Sequence, residues 1–416
     1  MEVKTFKNHL ENDIIPFWNK MKDETNGGFY GYADCNGMPD KKSVKGAILN
    51  NRILWFYSSA YMLLHKPELL KMADHAYKFL TDYCYDSQFG GVYWSVNYDG
   101  TASDDIKHTY NQAFAIYALS AYYQASHRKD ALDLAYAIYH TIEEKCKDKN
   151  GYLEAFNCDF TPTSNEKLSE NGVMAQRTMN TLLHVMEAYC ELYRAGLSAQ
   201  ADNSGCADLS KQAAASDGIT LSNQVPDSIR YIFRLIREKI YDYDKQIFDV
   251  FFDLDYNSLI DLESFGHNIE ASWLIDRGCQ ILNDKTLTNK MQPIITGLAN
   301  TAYHNAYDKT QHALSNEREG NKIDRHKIWW VQAEAVTGFY NAYQIEPHKT
   351  EYLQASEEIW QFIQEYVIDK KSGEWIESIP ADNKADPGQA LAHSWKGPYH
   401  NGRMCMEMIK RLSPTN

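Results

Sequence analysis

Apolar residues recur at helical spacing along almost the whole chain, and long alternating runs of strand type are rare. Scoring against an i, i+3, i+4, i+7 template gives about twelve candidate helices. They fall near residues 4–20, 49–65, 67–84, 107–126, 129–147, 175–196, 226–241, 265–283, 288–307, 328–345, 350–368 and 400–412. Alternate helices are the more apolar and carry unusual polar residues near their starts, around 50, 108, 178, 265, 329 and 400. A helix apolar all round must be covered on every side, whereas an amphipathic one faces water along one stripe. Six helical hairpins closed into a ring meet both demands, with apolar helices inside and amphipathic ones outside. The expected fold is therefore all-α, an (α/α)6 barrel, with an open solenoid as the alternative. Aromatic-glycine pieces such as GGVYWSVNYDG, 90–100, read as short β-hairpins in the connecting loops.

At 416 residues the chain can bury a large core. A single catalytic domain over 1–416 is expected, with the polar, aromatic-poor stretch 195–224 as a loop insertion within it. The polar stretch 309–324 reads as a loop beside the site. A formal net charge of −14 argues against nucleic acid or an anionic membrane surface as partner. The N-terminal residues lack the continuous apolar region of a secretory signal, and nowhere do 18 apolar residues run together. Eight scattered cysteines without a CxxC pair fit reduced thiols in a cytoplasmic protein. Nine Trp and 29 Tyr make the chain rich in aromatics; much of this must be core packing, but such rings also stack on the C–H faces of sugars.

Candidate chemistry concentrates where polar residues enter apolar helices. In SFGHNIEASW, 264–273, His267 and Glu270 lie one turn apart, with Trp273 further round the same side. A carboxylate at that distance can orient an imidazole and raise its basicity; a satisfied core histidine is the bland reading. In WKGPYHNGRM, 395–404, Pro398 sets the approach to the last helix, placing His400 near its first turn after Trp395. Asn180, His184, Glu187 and Glu191 form one stripe on an otherwise apolar helix, either a lined cavity or a solvated face. Trp329, Trp330, Gln332 and Glu334 open another apolar helix, as core or as a stacking platform with hydrogen-bonding arms. Arg52 can neutralise charge developing on a sugar oxygen, and Tyr110 and Asn111 stand at a comparable helix start. The two HxxE pairs, His184/Glu187 and His267/Glu270, also admit a metal reading, but no HExxH or wider acidic cluster accompanies them. No GxSxG elbow, Walker A loop or strand-to-helix GxGxxG is present.

RILWFYSSAY, NTLLHVMEAYCELYRA, SFGHNIEASWLI, WWVQAEAVTGFYNAYQ and WKGPYHNGRMCME resemble, in order and spacing, the cellobiose branch of the N-acylglucosamine 2-epimerase superfamily. The resemblance implies an (α/α)6 barrel and reversible C2 epimerisation of the reducing-end glucose of β-1,4-linked disaccharides. It implies that His184 assists ring opening with Asn180 nearby, and that His267 and His400 exchange the C2 proton through a cis-enediolate. Arg52 and Tyr110 would stabilise the enediolate, and Glu270 would orient His267. Trp330, Glu334, Trp395, Trp329 and Trp273 are the implied substrate contacts. No cofactor and no metal are implied; the partner is a disaccharide, and a monomer is favoured over a homodimer. Asn268 stands where the family often has Asp, and 195–224 looks longer than usual. A monosaccharide isomerase or 2-epimerase of the same superfamily, a glycoside hydrolase using Glu270 and Glu334, and a carbohydrate binder are the competing readings.

Overall fold

The computed structural model describes residues 1–168, 171–204 and 212–413. In chain order its helices are α1 (Val3–His9), α2 (Ile15–Lys20), α3 (Ala47–Leu64), α4 (Pro67–Phe79), α5 (Thr109–Ser126), α6 (Lys129–Thr141) and α7 (Met179–Ser204). There follow α8 (Gln212–Leu235), α9 (Phe265–Leu282), α10 (Lys285–Asn305), α11 (Trp329–Ile345), α12 (Thr350–Phe362) and α13 (His400–Leu412). A π turn, Leu10–Ile14, joins α1 and α2 into one rod.

Helices α3, α5, α7, α9, α11 and α13 each pack on the next, and α13 returns to α3, closing the inner ring. Helices α4, α6, α8, α10 and α12 each cover the inner helix that precedes them, while α1 covers α13. The sixth pair is thus made between the two ends of the chain, and the fold is an (α/α)6 barrel rather than an open solenoid. Burial follows the amphipathicity. Inner α5 is buried without interruption from Thr109 to Tyr123, whereas outer α4 buries only Leu69, Ala73, Ala76, Tyr77 and Phe79. Each fully buried large apolar side chain contributes about 1.5–3 kcal/mol.

Inner helices α3, α5 and α9 stop at His65, His127 and Asn283, whose φ values of 55°, 57° and 49° are left-handed. That conformation ends a helix sharply, and the outer helices resume two residues later at Pro67, Lys129 and Lys285. Outer helices finish differently. Four run into π turns, Leu80–Cys84, Ile142–Cys146, Ile236–Ile240 and Ile363–Val367. An aspartate turn follows in all six repeats: Asp23, Asp86, Asp148, Asp242, Asp308 and Asp369 accept the N–H of Thr25, Gln88, Asn150, Asp244, Thr310 and Ser372 at 2.8–2.9 Å.

Short strands then gather at the N-terminal ends of the inner helices. Lys45–Gly46 pairs antiparallel with Ser95–Val96, Lys107–His108 with Ala155–Phe156, and Arg177–Thr178 with Phe251–Phe252. The basic residue opening each of these strands reaches back to its repeat's aspartate: Lys45 to Asp23 at 2.7 Å, Lys107 to Asp86 at 2.8 Å and Arg177 to Asp148 at 2.6 Å. Amides on the inner helices complete the clamp. Gln112 accepts from the Val92 N–H at 2.6 Å and donates to its carbonyl at 2.8 Å, and Gln332 treats Leu314 the same way at 2.9 and 2.8 Å. Asn50 and Asn268 accept from the N–H groups of Phe29 and Phe248.

Two expectations change. Residues 195–204 and 212–224, read as loop, continue α7 and α8, and their alanines have the highest helix propensity; residues 205–211 lie outside the described residues. The stretch 309–324 is not a plain loop. Its strands Glu317–Glu319 and Lys322–Asp324 form a hairpin that extends the strand Leu262–Ser264, which leads directly into α9. No described helix is long and apolar enough to cross a membrane. Seven cysteines are free thiols, and Cys206 lies outside the described residues.

Candidate active site

Because all six inner helices begin at the same end, polar residues in their first turns converge there. Arg52 from α3 is 3% exposed. It donates to the Tyr110 hydroxyl at 2.8 Å and to the Trp395 carbonyl at 3.1 Å, with its guanidinium 4.4 Å from the Phe114 ring centre. Tyr110 from α5 stands edge-on to the His184 ring at 5.2 Å. On α7, His184 Nδ1 lies 2.9 Å from Glu187 Oε2, so the expected stripe turns inward. Asn180 is only half-buried, and its Oδ1 has no hydrogen-bond partner among the described residues.

His267 opens α9 and His400 opens α13. Ser264 is the N-cap residue of α9, yet its hydroxyl pairs with His267 Nδ1 at 2.7 Å instead of capping a backbone N–H. His400 Nδ1 lies 2.7 Å from Glu334 Oε1 on α11. Trp330 links the two imidazoles, its ring 4.8 Å from His267 and 5.4 Å from His400. No hydrogen bond among the described residues engages Nε2 of His184, His267 or His400, so each keeps that nitrogen for a ligand.

Arg403 lies behind these imidazoles. It donates to Glu187 at 2.6 Å and to Glu334 at 2.7 Å, and it also bonds Glu270 and the Tyr399 hydroxyl. Tyr399 in turn donates to Glu187 at 2.5 Å. Trp273 donates its indole N–H to the other oxygen of Glu334 at 3.0 Å.

These contacts set the charges. Burial opposes ionisation of Glu187, but Arg403, His184 and Tyr399 outweigh it and bring its carboxyl down to about 2. Burial and the neighbouring Glu334 push Glu270 up to about 7, and burial raises Glu334 although Arg403 opposes it. Burial, helped by His184, lowers His267 to about 3. His400 falls well below its ordinary value through burial and the charges of Arg403 and Arg52. Both shifts favour the neutral imidazole, the form a proton acceptor needs. Burial lifts the Tyr110 phenol to about 12, so it stays a donor.

Most of the residues singled out from the sequence meet here, but their duties differ in places. Glu270 does not orient His267. Its Oε1 is taken by Arg403, its Oε2 has no partner among the described residues, and Ser264 holds the imidazole instead. Three residues on, a glutamate points into the ring toward α13, whereas His267 in the first turn still reaches its own N-cap. Trp273 has no exposed surface and braces Glu334. Trp329 is 3% exposed and packs edge-on behind His400 at 5.6 Å, with Lys396 over its face at 5.1 Å. Trp330 and Trp395 keep partial exposure at this end of the barrel. Trp94 went unnoticed in the sequence; its ring lies 5.7 Å from Trp395 and shares the rim. Ser264, three residues before a histidine at a helix start, was the signal that reading missed.

Glu270, Glu334 and His400 bring three possible ligand atoms within 4.8 Å of one another. A cation already serves them, since Arg403 donates to both carboxylates. Of the two HxxE pairs only the first is made, because Glu187 turns to His184 while Glu270 turns away from His267 to Arg403.

Comparison with known proteins is consistent with this geometry. The family model for N-acylglucosamine 2-epimerase (GlcNAc 2-epimerase) matches residues 28–195 and 212–401. A cellobiose 2-epimerase of Eubacterium cellulosolvens is 46% identical over 99% of this chain and 98% of its own. The crystal structure of a sugar epimerase from a ruminal bacterium superposes with a TM-score of 0.90 at 42% identity, covering 100% of both chains. A cellobiose 2-epimerase structure from Bacillus thermoamylovorans gives 0.87 at 40% identity over 98% of this chain and 99% of that one.

Proposed function

The chain belongs to the N-acylglucosamine 2-epimerase family, and on that premise we propose how its histidine centre acts. It reversibly epimerises C2 of the reducing-end glucose of β-1,4-linked disaccharides, taking cellobiose to glucosyl-mannose and lactose to epilactose. The sugar ring opens first, because only the open aldehyde makes the C2 proton acidic. His184, its Nδ1 held by Glu187, moves the proton between the ring oxygen and O1 in that step, with Asn180 beside it. One of His267 and His400 then takes the C2 proton, leaving a cis-enediolate. The other, which has taken a proton from solvent and acts as the imidazolium, returns it to the opposite face. The ring closes on the new epimer, and the first histidine later releases its proton to solvent.

One observation carries the reading: two imidazoles from helices on either side of α11, each with Nδ1 occupied and Nε2 free. A single base returning its own proton would mainly regenerate the starting sugar. The two partners also differ usefully. Glu334 as a carboxylate only accepts, so it keeps the proton of His400 on Nδ1 and leaves Nε2 basic. The Ser264 hydroxyl can donate or accept, so His267 can present Nε2 as acid or base. Arg52 and the protonated Tyr110 supply positive charge and a hydrogen bond to the enediolate oxygens, an effect worth about 3–4 kcal/mol per preorganised donor. Glu270, pushed up to about 7 by burial and the neighbouring Glu334 and with one oxygen uncommitted, is suited to a substrate hydroxyl. Trp330 and Trp395 offer the partly exposed faces on which sugar rings stack.

Incubation with cellobiose in D2O, followed by NMR at C2, tests this directly. Glucosyl-mannose deuterated at C2 is expected. Turnover of mannose or N-acylglucosamine with no change to cellobiose would move the substrate, and released glucose would replace epimerisation by hydrolysis.

A further inference from the structure

We infer that Arg403 is a positioning residue that couples the ring-opening histidine to the proton-transfer histidine, by bracing with one guanidinium the carboxylates behind both. The inference rests on the function proposed above. Glu187 and Glu334 sit on α7 and α11, on either side of α9 in the ring, and each holds one imidazole by its Nδ1: His184 at 2.9 Å and His400 at 2.7 Å. Arg403, three residues after His400 on α13, bonds both, at 2.6 and 2.7 Å. Its side chain is 1% exposed. Two aromatic faces fix the guanidinium, Tyr399 at 4.2 Å and Trp273 at 4.8 Å from ring centre to Cζ. It therefore cannot swing toward one carboxylate without leaving the other.

The chemistry selects arginine. Glu187, Glu270 and Glu334 come from three different helices and would repel one another in a buried site. A planar fork can serve one carboxylate from Nη1 and two from Nη2, as here, at fixed angles. A lysine ammonium brings the same charge without the fork. The reaction needs ring opening and C2 proton transfer on one bound sugar, so the two imidazoles must hold a constant separation. A shared brace supplies that, because any shift of the guanidinium moves both carboxylates together. Misplacement of a reacting group by about 1 Å is enough to lower a rate by about 10²-fold.

Arg403→Lys and Arg403→Met separate positioning from bulk stabilisation. Each is compared with wild type by kcat and KM for cellobiose across pH, by thermal unfolding, and with Glu187→Gln added. Arg403→Lys is expected to lower kcat about 10²-fold with KM changed no more than about threefold. The groups facing His400 are Arg403, Arg52, His184, His267, Glu334 and Glu270. Loss of the Arg403 charge leaves the carboxylates dominant and raises the imidazole pKa, so in Arg403→Met the acid limb of kcat/KM moves up by about one pH unit. Adding Glu187→Gln should lower kcat several-fold less in either Arg403 variant than in wild type, since the brace is already lost. A folded variant with wild-type kcat and an unmoved acid limb would overturn the inference, as would an additive effect of Glu187→Gln. If Arg403→Met does not fold, Arg403→Lys decides by its kcat and its coupling to Glu187→Gln. Wild-type inactivity on every 2-epimerisable sugar would instead refute the proposed function, so the two failures are distinct.

Discussion

Two sets of buried polar side chains occupy the same end of this barrel, and they differ in how completely they are satisfied. In the clamps around the ring, Gln112 and Gln332 each spend both amide functions on one backbone residue, and Lys45 and Lys107 are fully enclosed against Asp23 and Asp86. In the centre, three histidines keep a free Nε2, while Glu270 Oε2 and Asn180 Oδ1 have no partner among the described residues. Unspent hydrogen-bonding capacity in a buried group is unfavourable unless something else uses it. The clamps therefore hold the loops, and the centre is prepared for a ligand. Depth of burial does not separate the two sets, since Glu270 of the centre and Asn50 of the clamps have the same 1% exposure.

Substitutions on the two sides should break different properties. His267→Ala and His400→Ala are expected to lower epimerisation about 10²–10⁴-fold each, with helical circular dichroism retained. Lys107→Met strands a buried aspartate; it should cost about 3–5 kcal/mol of stability while kcat of the folded enzyme stays unchanged, read by denaturant unfolding and steady-state assay. Gln112→Ala leaves the Val92 N–H and carbonyl without their side-chain partner, a loss of about 1–3 kcal/mol, again without effect on kcat. A clamp variant that abolished turnover at full stability would erase the distinction.

Acid titration provides a finer division. Folding depresses His267 from 6.5 to about 3, so between those values the unfolded imidazole binds a proton that the folded one refuses. Its contribution to stability is present above pH 6.5 and is lost as pH falls toward 3. Burial opposes ionisation of Asp86, but Lys107 and the N–H groups of Gln88 and Phe89 hold it at about 2 against an ordinary 3.8. Its contribution is present above pH 3.8 and is lost as pH falls toward 2. In plots of Tm against pH, His267→Gln should flatten only the upper window and Asp86→Asn only the lower.

Helical periodicity was enough to place all twelve rods, including the apolar alternation that becomes the inner ring. The pairing of α1 with α13 was not readable, because it joins residues some four hundred positions apart with no local signal. The aspartate turns were readable in principle, as six aspartates at the ends of the outer helices, but the basic residues that reach Asp23, Asp86 and Asp148 lie on another part of the repeat. Polar residues near inner-helix starts were recognised as unusual, yet periodicity cannot say which are spent on backbone and which are free. Asn50 and Gln332 belong to the clamps, whereas His184 and His400 belong to the centre. Spacing put Glu270 beside His267, and the direction of the side chains gave that place to Ser264. The family resemblance implied Trp273 as a substrate contact, while burial makes it a brace for Glu334.

The two-histidine exchange is tested most directly by C2 hydrogen washout in D2O with each histidine removed in turn. His267→Ala and His400→Ala should each exchange the C2 hydrogen of one epimer only, cellobiose for one variant and glucosyl-mannose for the other, with neither forming the opposite epimer. Epimerisation by either variant at a rate near that of wild type, or washout of the same epimer by both, would contradict proton transfer from two faces.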